Sequence, residues 1–517
     1  MKKLYILPIL FGMLFSSCED YLNVGSDTEL TQEQIYSTDE GFHKALTGVY
    51  IGLTSESLYG SQLTWRMIEH FAHHYYVPGT GMNDYYYAQH DYTHSTVAPA
   101  IKSVWNGMYN LIGRCNDILQ NLEERKDEVH PLNYQMVRGE ALALRAFLHF
   151  DLLRLFGYGD YRNRSAELQN KYTIPYVTTF GKEITEQATY AEVFTNLKKD
   201  LNEAAKLLWG ENGENCKFTY NDADKLSEHF ALAEGSNANF YTYMDYDTKP
   251  RLNYYGVKAI LARVLMWEGT DEGYQEILDF LEQEWIPAAD DNGFDCWDWI
   301  SSSRLTGTYT DRLMTQENIW QLSVNGLYDK IGQWFTYRST DTNNYFRLTN
   351  AVYQEIYEYN AGNNSGLADQ RAARLYTNSN SGSGWYAILK LDQYEGENNY
   401  SYKNIIPLIS TPELYYMAAE IYNERGEYAN ALAKLNEVRQ HRGIMTDLTE
   451  LDYDFIKTEI MKEWRKEYIA LGQIFYFYKR CGIEKAMSTD MNDKKYVLPF
   501  PEDEIVTGNR EQFIIKE

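Results

Sequence analysis

From Thr411 to Gly443 the chain reads TPELYYMAAEIYNERGEYANALAKLNEVRQHRG. Ala419, Tyr422, Gly426, Ala431, Leu435 and Val438 fall at the spacings of two antiparallel helices joined by a tight turn, with small residues where the helices cross. That is the pattern of a tetratricopeptide repeat. Such a unit leaves an apolar face uncovered until a neighbour stacks on it, so one clear repeat requires others. Leu261 to Leu281 echoes it, with Gly269 or Gly273 at the turn and Tyr274 beyond. The segments 140–157 and 190–208 form another candidate pair, split by an insertion.

Helical periodicity extends well past these units. TDEGFHKALTGVY, from Thr38 to Tyr50, has a capping threonine, acidic residues in its first turn, and Phe42, Ala45, Leu46 and Val49 on one face. Trp105, Tyr109, Ile112, Asn116 and Leu119 keep the same spacing. GEALALRAFLHFDLLRLFG ends on Gly157, placed as a left-handed stop. Tyr190 to Leu208 and Tyr255 to Trp267 are further amphipathic helices. The expected fold is mostly α, with tetratricopeptide-like helix pairs forming a short solenoid scaffold, long aromatic-rich loops and a few short strands. The loops are 56–100, 210–250, 286–350 and 360–405; their ring content argues against disorder.

The N-terminus says where such a chain resides. Lys2 and Lys3 precede an apolar run from Leu4 to Phe15, and Ser16 and Ser17 stand directly before Cys18. This reads as a lipoprotein signal, residues 1–17, with Cys18 lipidated and residues 18–30 a flexible tether. The run is shorter than the roughly 20 apolar residues of a membrane span. Residues 31–517 read as one domain, divided into a helical part (31–210), a variable loop-rich part with one helix pair (211–400) and a C-terminal part (401–517). The net charge is −26, and trimming the leader removes two lysines. A body this acidic repels phosphate backbones, so nucleic acid is excluded as a partner. Cys115, Cys216, Cys296 and Cys481 follow no CxxC spacing. They read as mostly buried thiols, with one disulfide possible.

By this point the residues resemble the SusD-like (RagB/SusD) nutrient-binding outer-membrane lipoproteins of Bacteroidetes. Glu140 to Gly157 is similar to that family's signature helix. Trp105, Tyr109 and Asn116 resemble the helix before it, and Ile174-Pro175-Tyr176-Val177 the strand after it. Arg251-Leu252-Asn253 with Ala259 to Met266, Pro407-Leu408-Ile409 leading into Glu413-Leu414-Tyr415, Glu463, Arg465, Glu467 and Gly472, and Leu498 to Pro501 follow in family order. Leu471 and Gln473 to Tyr476 depart from the usual pattern, as does Asn509-Arg510. The resemblance implies a non-catalytic binder of glycans. It implies lipid anchorage in the outer membrane, facing the exterior, and delivery of ligand to a SusC-like TonB-dependent transporter that the helical repeats face. No cofactor or metal is implied.

Sugar rings present CH faces and hydroxyl edges, so a glycan site needs aromatic platforms beside hydrogen-bonding side chains. Four groups qualify. Trp297, Asp298 and Trp299 lie in FDCWDW, where a strand places both indoles on one face; a core strand or a loop plug is the alternative. Asn83, Tyr85, Tyr86 and Tyr87 form the second, with Tyr75 and Tyr76 nearby, and three consecutive tyrosines cannot all point inward. Trp334 and Arg338, with Tyr337, are the third, and Trp385 with Tyr386 the fourth.

Other chemistries are less well supplied. EHFAHHYY places His70 and His74 on one face of a helix, but its order is not the H-E-x-x-H of a zinc protease. No G-x-S-x-G elbow or P-loop occurs. The competing readings are a surface-anchored glycoside hydrolase, which needs two carboxylates across the scissile bond, and a protein-binding scaffold lipoprotein.

Overall fold

The computed structural model describes residues 32–77, 79–82, 84–211, 251–290, 299–306, 311–335, 346–358, 365–378, 385–391 and 404–511. The leader, Cys18 and the tether lie outside the described residues. Cys115 and Cys481 are free thiols; Cys216 and Cys296 lie outside.

The N-terminal part is a layer of long helices: α1 (Asp39–Leu53), α2 (Val97–Glu124) and α3 (Pro131–Phe156). Thr38 caps α1 by accepting from the Gly41 amide. α3 is buried on every side from Gly139 to Phe156, so its charges must be met internally. Arg145 donates to both Asp200 carboxylate oxygens at 2.7 and 2.8 Å and to Asn116 Oδ1 at 2.9 Å. Glu140 accepts from Arg251 at 2.5 and 2.8 Å and from the Tyr50 hydroxyl at 2.6 Å. Asp151 takes Arg154 and the Tyr59 hydroxyl.

The insertion after α3 consists of α4 (Tyr161–Leu168) and a hairpin of β1 (Tyr172–Pro175) with β2 (Gln187–Thr189). α5 (Tyr190–Trp209) then starts in a capping box of Thr189 and Glu192. α5 runs antiparallel to α3: Gly139 abuts Leu208 near one end, Gly157 abuts Tyr190 at the other. Gly157 is not the left-handed stop its position suggested. Its φ of −89° and ψ of 172° are extended. A Cβ there would meet Leu153 O at 2.7 Å and the Tyr190 hydroxyl at 2.9 Å, so close approach is what demands glycine.

α6 (Tyr254–Glu268) and α7 (Asp271–Asp279) form the second helix pair, turned at Gly269 (φ +72°) rather than Gly273, which lies inside α7. α7 continues through a π-turn at Phe280–Trp285. After β3 (Asn318–Ser323), α8 (Leu327–Phe335), β4 (Arg347–Thr349), α9 (Asn350–Tyr357), β5 (Tyr376–Asn378), β6 (Trp385–Ile388) and β7 (Ile405–Ser410) comes the clearest pair, α10 (Thr411–Glu424) and α11 (Tyr428–His441). It turns at Gly426 (φ +75°). α12 (Tyr453–Tyr468) packs across both, and α13 (Ile474–Arg480) follows. α7 and α10 are in contact, so the pairs stack as a solenoid does. β3 and β7 pair antiparallel, and β6 lies between β4 and β5. One contiguous apolar core runs from Tyr36 to Phe500.

The loop layer is tied to this frame by buried ions. Arg442, after α11, donates to Glu317 at 2.5 and 2.9 Å and to Glu467 at 2.9 and 3.1 Å. Arg371 donates to Glu467 and Glu463 at 2.8 Å and to Asp369. Lys466 joins Glu463 to Glu358, each at 3.0 Å. Burial raises the Glu467 pKa, but Arg442 and Arg371 overcome it and hold the group at about 2.

Candidate functional site

Three of the four aromatic groups meet. The register of β4 against β6 sets Arg347 opposite Ala387 and Thr349 opposite Trp385. Side chains alternate across a strand, so Arg347 and Trp385 share one face and Tyr386 takes the other. The Arg347 guanidinium lies 3.7 Å from the Trp385 ring centre and 5.5 Å from that of Tyr76. Tyr76 meets Trp385 edge-on at 4.4 Å, and its amide donates to Arg347 O at 2.8 Å. On the opposite face Tyr386 stacks on Tyr353 at 3.7 Å.

Phe346, one residue before Arg347, carries the arrangement to α8. It stacks on Trp334 at 5.2 Å and on Tyr75 at 4.7 Å, and its amide donates to Trp334 O. Arg66 covers Trp334 at 4.7 Å while Nε and Nη2 bind Asp84 at 3.0 to 3.2 Å. Burial opposes the Arg66 charge, but Asp84 more than offsets it and its pKa is raised. Directly after Asp84, Tyr85 packs edge-on against Tyr86, which stacks on His94 at 3.4 Å. Tyr76, Tyr85, Tyr86, Trp334 and Trp385 are half-buried. They combine supported ring area with cations, an arrangement suited to the CH faces and oxygens of a polyhydroxylated ligand.

The expected residues divide. Tyr75 (6 % exposed) and Tyr87 (2 %) are core side chains and present no ring face to a ligand. Tyr75 is held by Phe346 and by donating to Trp65 O at 3.0 Å; burial pushes the Tyr87 hydroxyl up to about 12. Trp299 is half-buried and outside any strand, in a loop rather than in the strand that would set both indoles on one face. It stacks on His441 at 4.4 Å beside Tyr415 and Arg442, at the end of α11. Asn83, Trp297, Asp298, Tyr337 and Arg338 lie outside the described residues. Arg66, Phe346 and Arg347 escaped the sequence reading; the alternation in YFRLT was the available signal for the last two.

The histidines do not share a helix face. The helix Met67–Phe71 ends before His73, which is left-handed at φ +60°. His70 bonds Arg66 O at 2.8 Å, His73 bonds His90 at 2.8 Å, and His74 bonds the Tyr478 hydroxyl at 3.1 Å. Among the described residues no group of three metal-ligating side chains assembles, and no helix is long and apolar enough to cross a membrane.

Residues 20–223 match the model of a family described as SusD-like, starch-binding associating with outer membrane. No curated protein matches the sequence. Among solved structures, a SusD superfamily protein from Bacteroides thetaiotaomicron is similar at TM-score 0.65 and 19% identity, over 92% of this chain and 99% of that one. A SusD superfamily protein from Bacteroides vulgatus has TM-score 0.67 and 18% identity over 93% and 99%. A SusD-like carbohydrate binding protein from Bacteroides vulgatus has TM-score 0.60 and 16% identity over 86% and 83%. At these identities the structural likeness concerns the fold. Residues 20–223 thus match a SusD-like family model, and the chain shares a fold with two SusD superfamily structures over more than nine-tenths of its length.

Proposed function

We propose that the protein binds glycans at the cell surface without cleaving them. It hands them to a SusC-like TonB-dependent transporter in the outer membrane, where a lipid on Cys18 holds it. The observation that carries this reading is the meeting of half-buried Tyr76 and Trp385 over Arg347, with half-buried Trp334 held between Arg66 and Phe346, the residue before Arg347. The starch-binding description of the matched family and the carbohydrate-binding relative support it. The acidic charge suits neutral rather than polyanionic ligands.

The test is a glycan array followed by isothermal titration of the hits. Trp385→Ala and Trp334→Ala are each expected to weaken binding by about tenfold or more, the size of a lost aromatic anchor. Steady release of reducing ends from the bound glycan would overturn the non-catalytic reading. Unchanged affinity in both folded variants would remove the site. For delivery, the lipidated chain is expected to co-purify with an outer-membrane barrel, and Cys18→Ser to release it from the membrane.

A further inference from the structure

A cavity of about 340 Å³ is bounded by α4, α6, α7, α10, α12 and α13. Met266, Trp267, Phe477 and Arg480 line it and also line a smaller void of about 30 Å³ deeper in the protein. That volume takes one or two water-sized particles. Three side chains on the wall of the inner void hold polar atoms without a hydrogen-bond partner among the described residues: Trp267 Nε1, Trp464 Nε1 and Tyr476 Oη. The three residues are 2, 4 and 3 % exposed. Buried donors are seldom left unmatched, so their meeting at one void points to an occupant.

The charges around the void narrow its chemistry. Arg154, Arg263 and Arg480 line it with a single carboxylate, Glu413. Glu413 is paired with Arg263, with both oxygens accepting at 2.6 Å. Asp151, paired with Arg154, and Glu420, paired with Arg480, are not on the void wall. The Gln473 side-chain oxygen accepts from Arg154 at 3.3 Å. Donors therefore outnumber free acceptors. Water accepts two hydrogen bonds but must place two protons of its own, and Tyr476 Oη is the one unpartnered wall atom that accepts. An aprotic anion accepts from all three groups, and since each guanidinium is already paired with a carboxylate, these charge-assisted hydrogen bonds are what offset its desolvation.

We propose that this void binds a halide-sized monovalent anion, held by the Trp267 and Trp464 indoles and the Tyr476 hydroxyl among three arginines. The ion fastens α3, α6, α12 and α13 together, independently of the glycan cluster.

The experiment is thermal unfolding of the whole protein at constant ionic strength, with sodium gluconate replaced stepwise by sodium chloride or sodium bromide. A saturable rise in melting temperature with either halide is expected. Tyr476→Phe is expected to raise the half-saturating halide concentration by about tenfold, as the loss of one hydrogen bond to a charge does. Trp464→Phe serves as a second donor deletion. A bromide soak is expected to place an anomalous peak within hydrogen-bond reach of both indoles. Coincident chloride and gluconate curves, a halide response that both deletions leave intact, or water where bromide is expected would each overturn the assignment.

Discussion

Arg263 on α6 and Glu413 on α10 form a bidentate ion pair, with Nε and Nη2 each 2.6 Å from a carboxylate oxygen and both side chains buried. The same guanidinium donates to Leu408 O at 2.6 Å, so one side chain joins two stacked helix pairs and the strand that enters the second. Removing one partner strands the other charge in a low-dielectric interior. Glu413→Gln is expected to lower stability by about 3–5 kcal/mol, read from the urea unfolding midpoint. A double replacement of both residues by apolar side chains is expected to cost less than the single change.

Two glycines separate strain from chain entropy. Gly472 has φ +76°, and a Cβ there would sit 2.4 Å from Leu63 O. Gly472→Ala is expected to destabilise by more than about 1 kcal/mol. Gly113 lies within α2, and an added Cβ meets nothing within 4 Å. Gly113→Ala is expected to stabilise by about 0.4–1 kcal/mol. Chemical denaturation of both variants checks the pair.

His149 makes folding sensitive to acid. Its Nδ1 donates to Arg145 O at 2.9 Å and its Nε2 accepts from the Val177 amide at 2.9 Å, so only the neutral ring satisfies both bonds. Burial, reinforced by Arg145, lowers its pKa to about 3. Below pH 6.5 the unfolded chain takes a proton that the folded chain refuses until about pH 3, so stability falls as pH drops through that window. Between pH 7 and pH 5 this histidine alone is expected to remove about 2 kcal/mol. His149→Gln, which retains a donor and an acceptor, is expected to flatten the unfolding free energy over that range by about the same amount.

The two aromatic locations are separable by titration. Trp385→Ala removes a ring that Arg347 and Tyr76 hold at the proposed site. Trp299→Ala removes one lodged on His441 and Tyr415. The first is expected to weaken glycan binding and the second to leave it unchanged while lowering the melting temperature. Loss of affinity from Trp299→Ala would move the site to the end of α11.

The helical frame was legible because it obeys a period. Ala419, Gly426 and Ala431 announced α10 and α11, and the turn after α6 was narrowed to Gly269 or Gly273, of which the structure takes Gly269. The capping box at Thr189 and Glu192 starts α5 and is a local signal of the same kind, one the sequence reading did not use. The proposed site was legible only as composition. Nothing local to Tyr85, Tyr86 and Tyr87 distinguishes the third, which enters the core, from its neighbours; long-range packing against Phe71 and His70 does. Trp385 and Tyr386 part because β6 pairs with β4, across a separation in sequence that periodicity cannot register. The ionic ties of Arg371, Arg442 and Glu467 were hidden for a related reason, since a buried charge is spelled like a solvated one.

Those ties have a consequence for how the molecule could be rebuilt. Arg442 reaches Glu317, just ahead of β3, and Arg371 sits a few residues before β5, so the segments carrying the aromatic loops are latched at their roots by charge. The rings farther out take no part in the latch. With the proposed site, ligand preference and structural integrity draw on different side chains, and the positions around Trp334 on α8 and Trp385 on β6 are expected to accept rewriting for a new ligand with the chassis left whole.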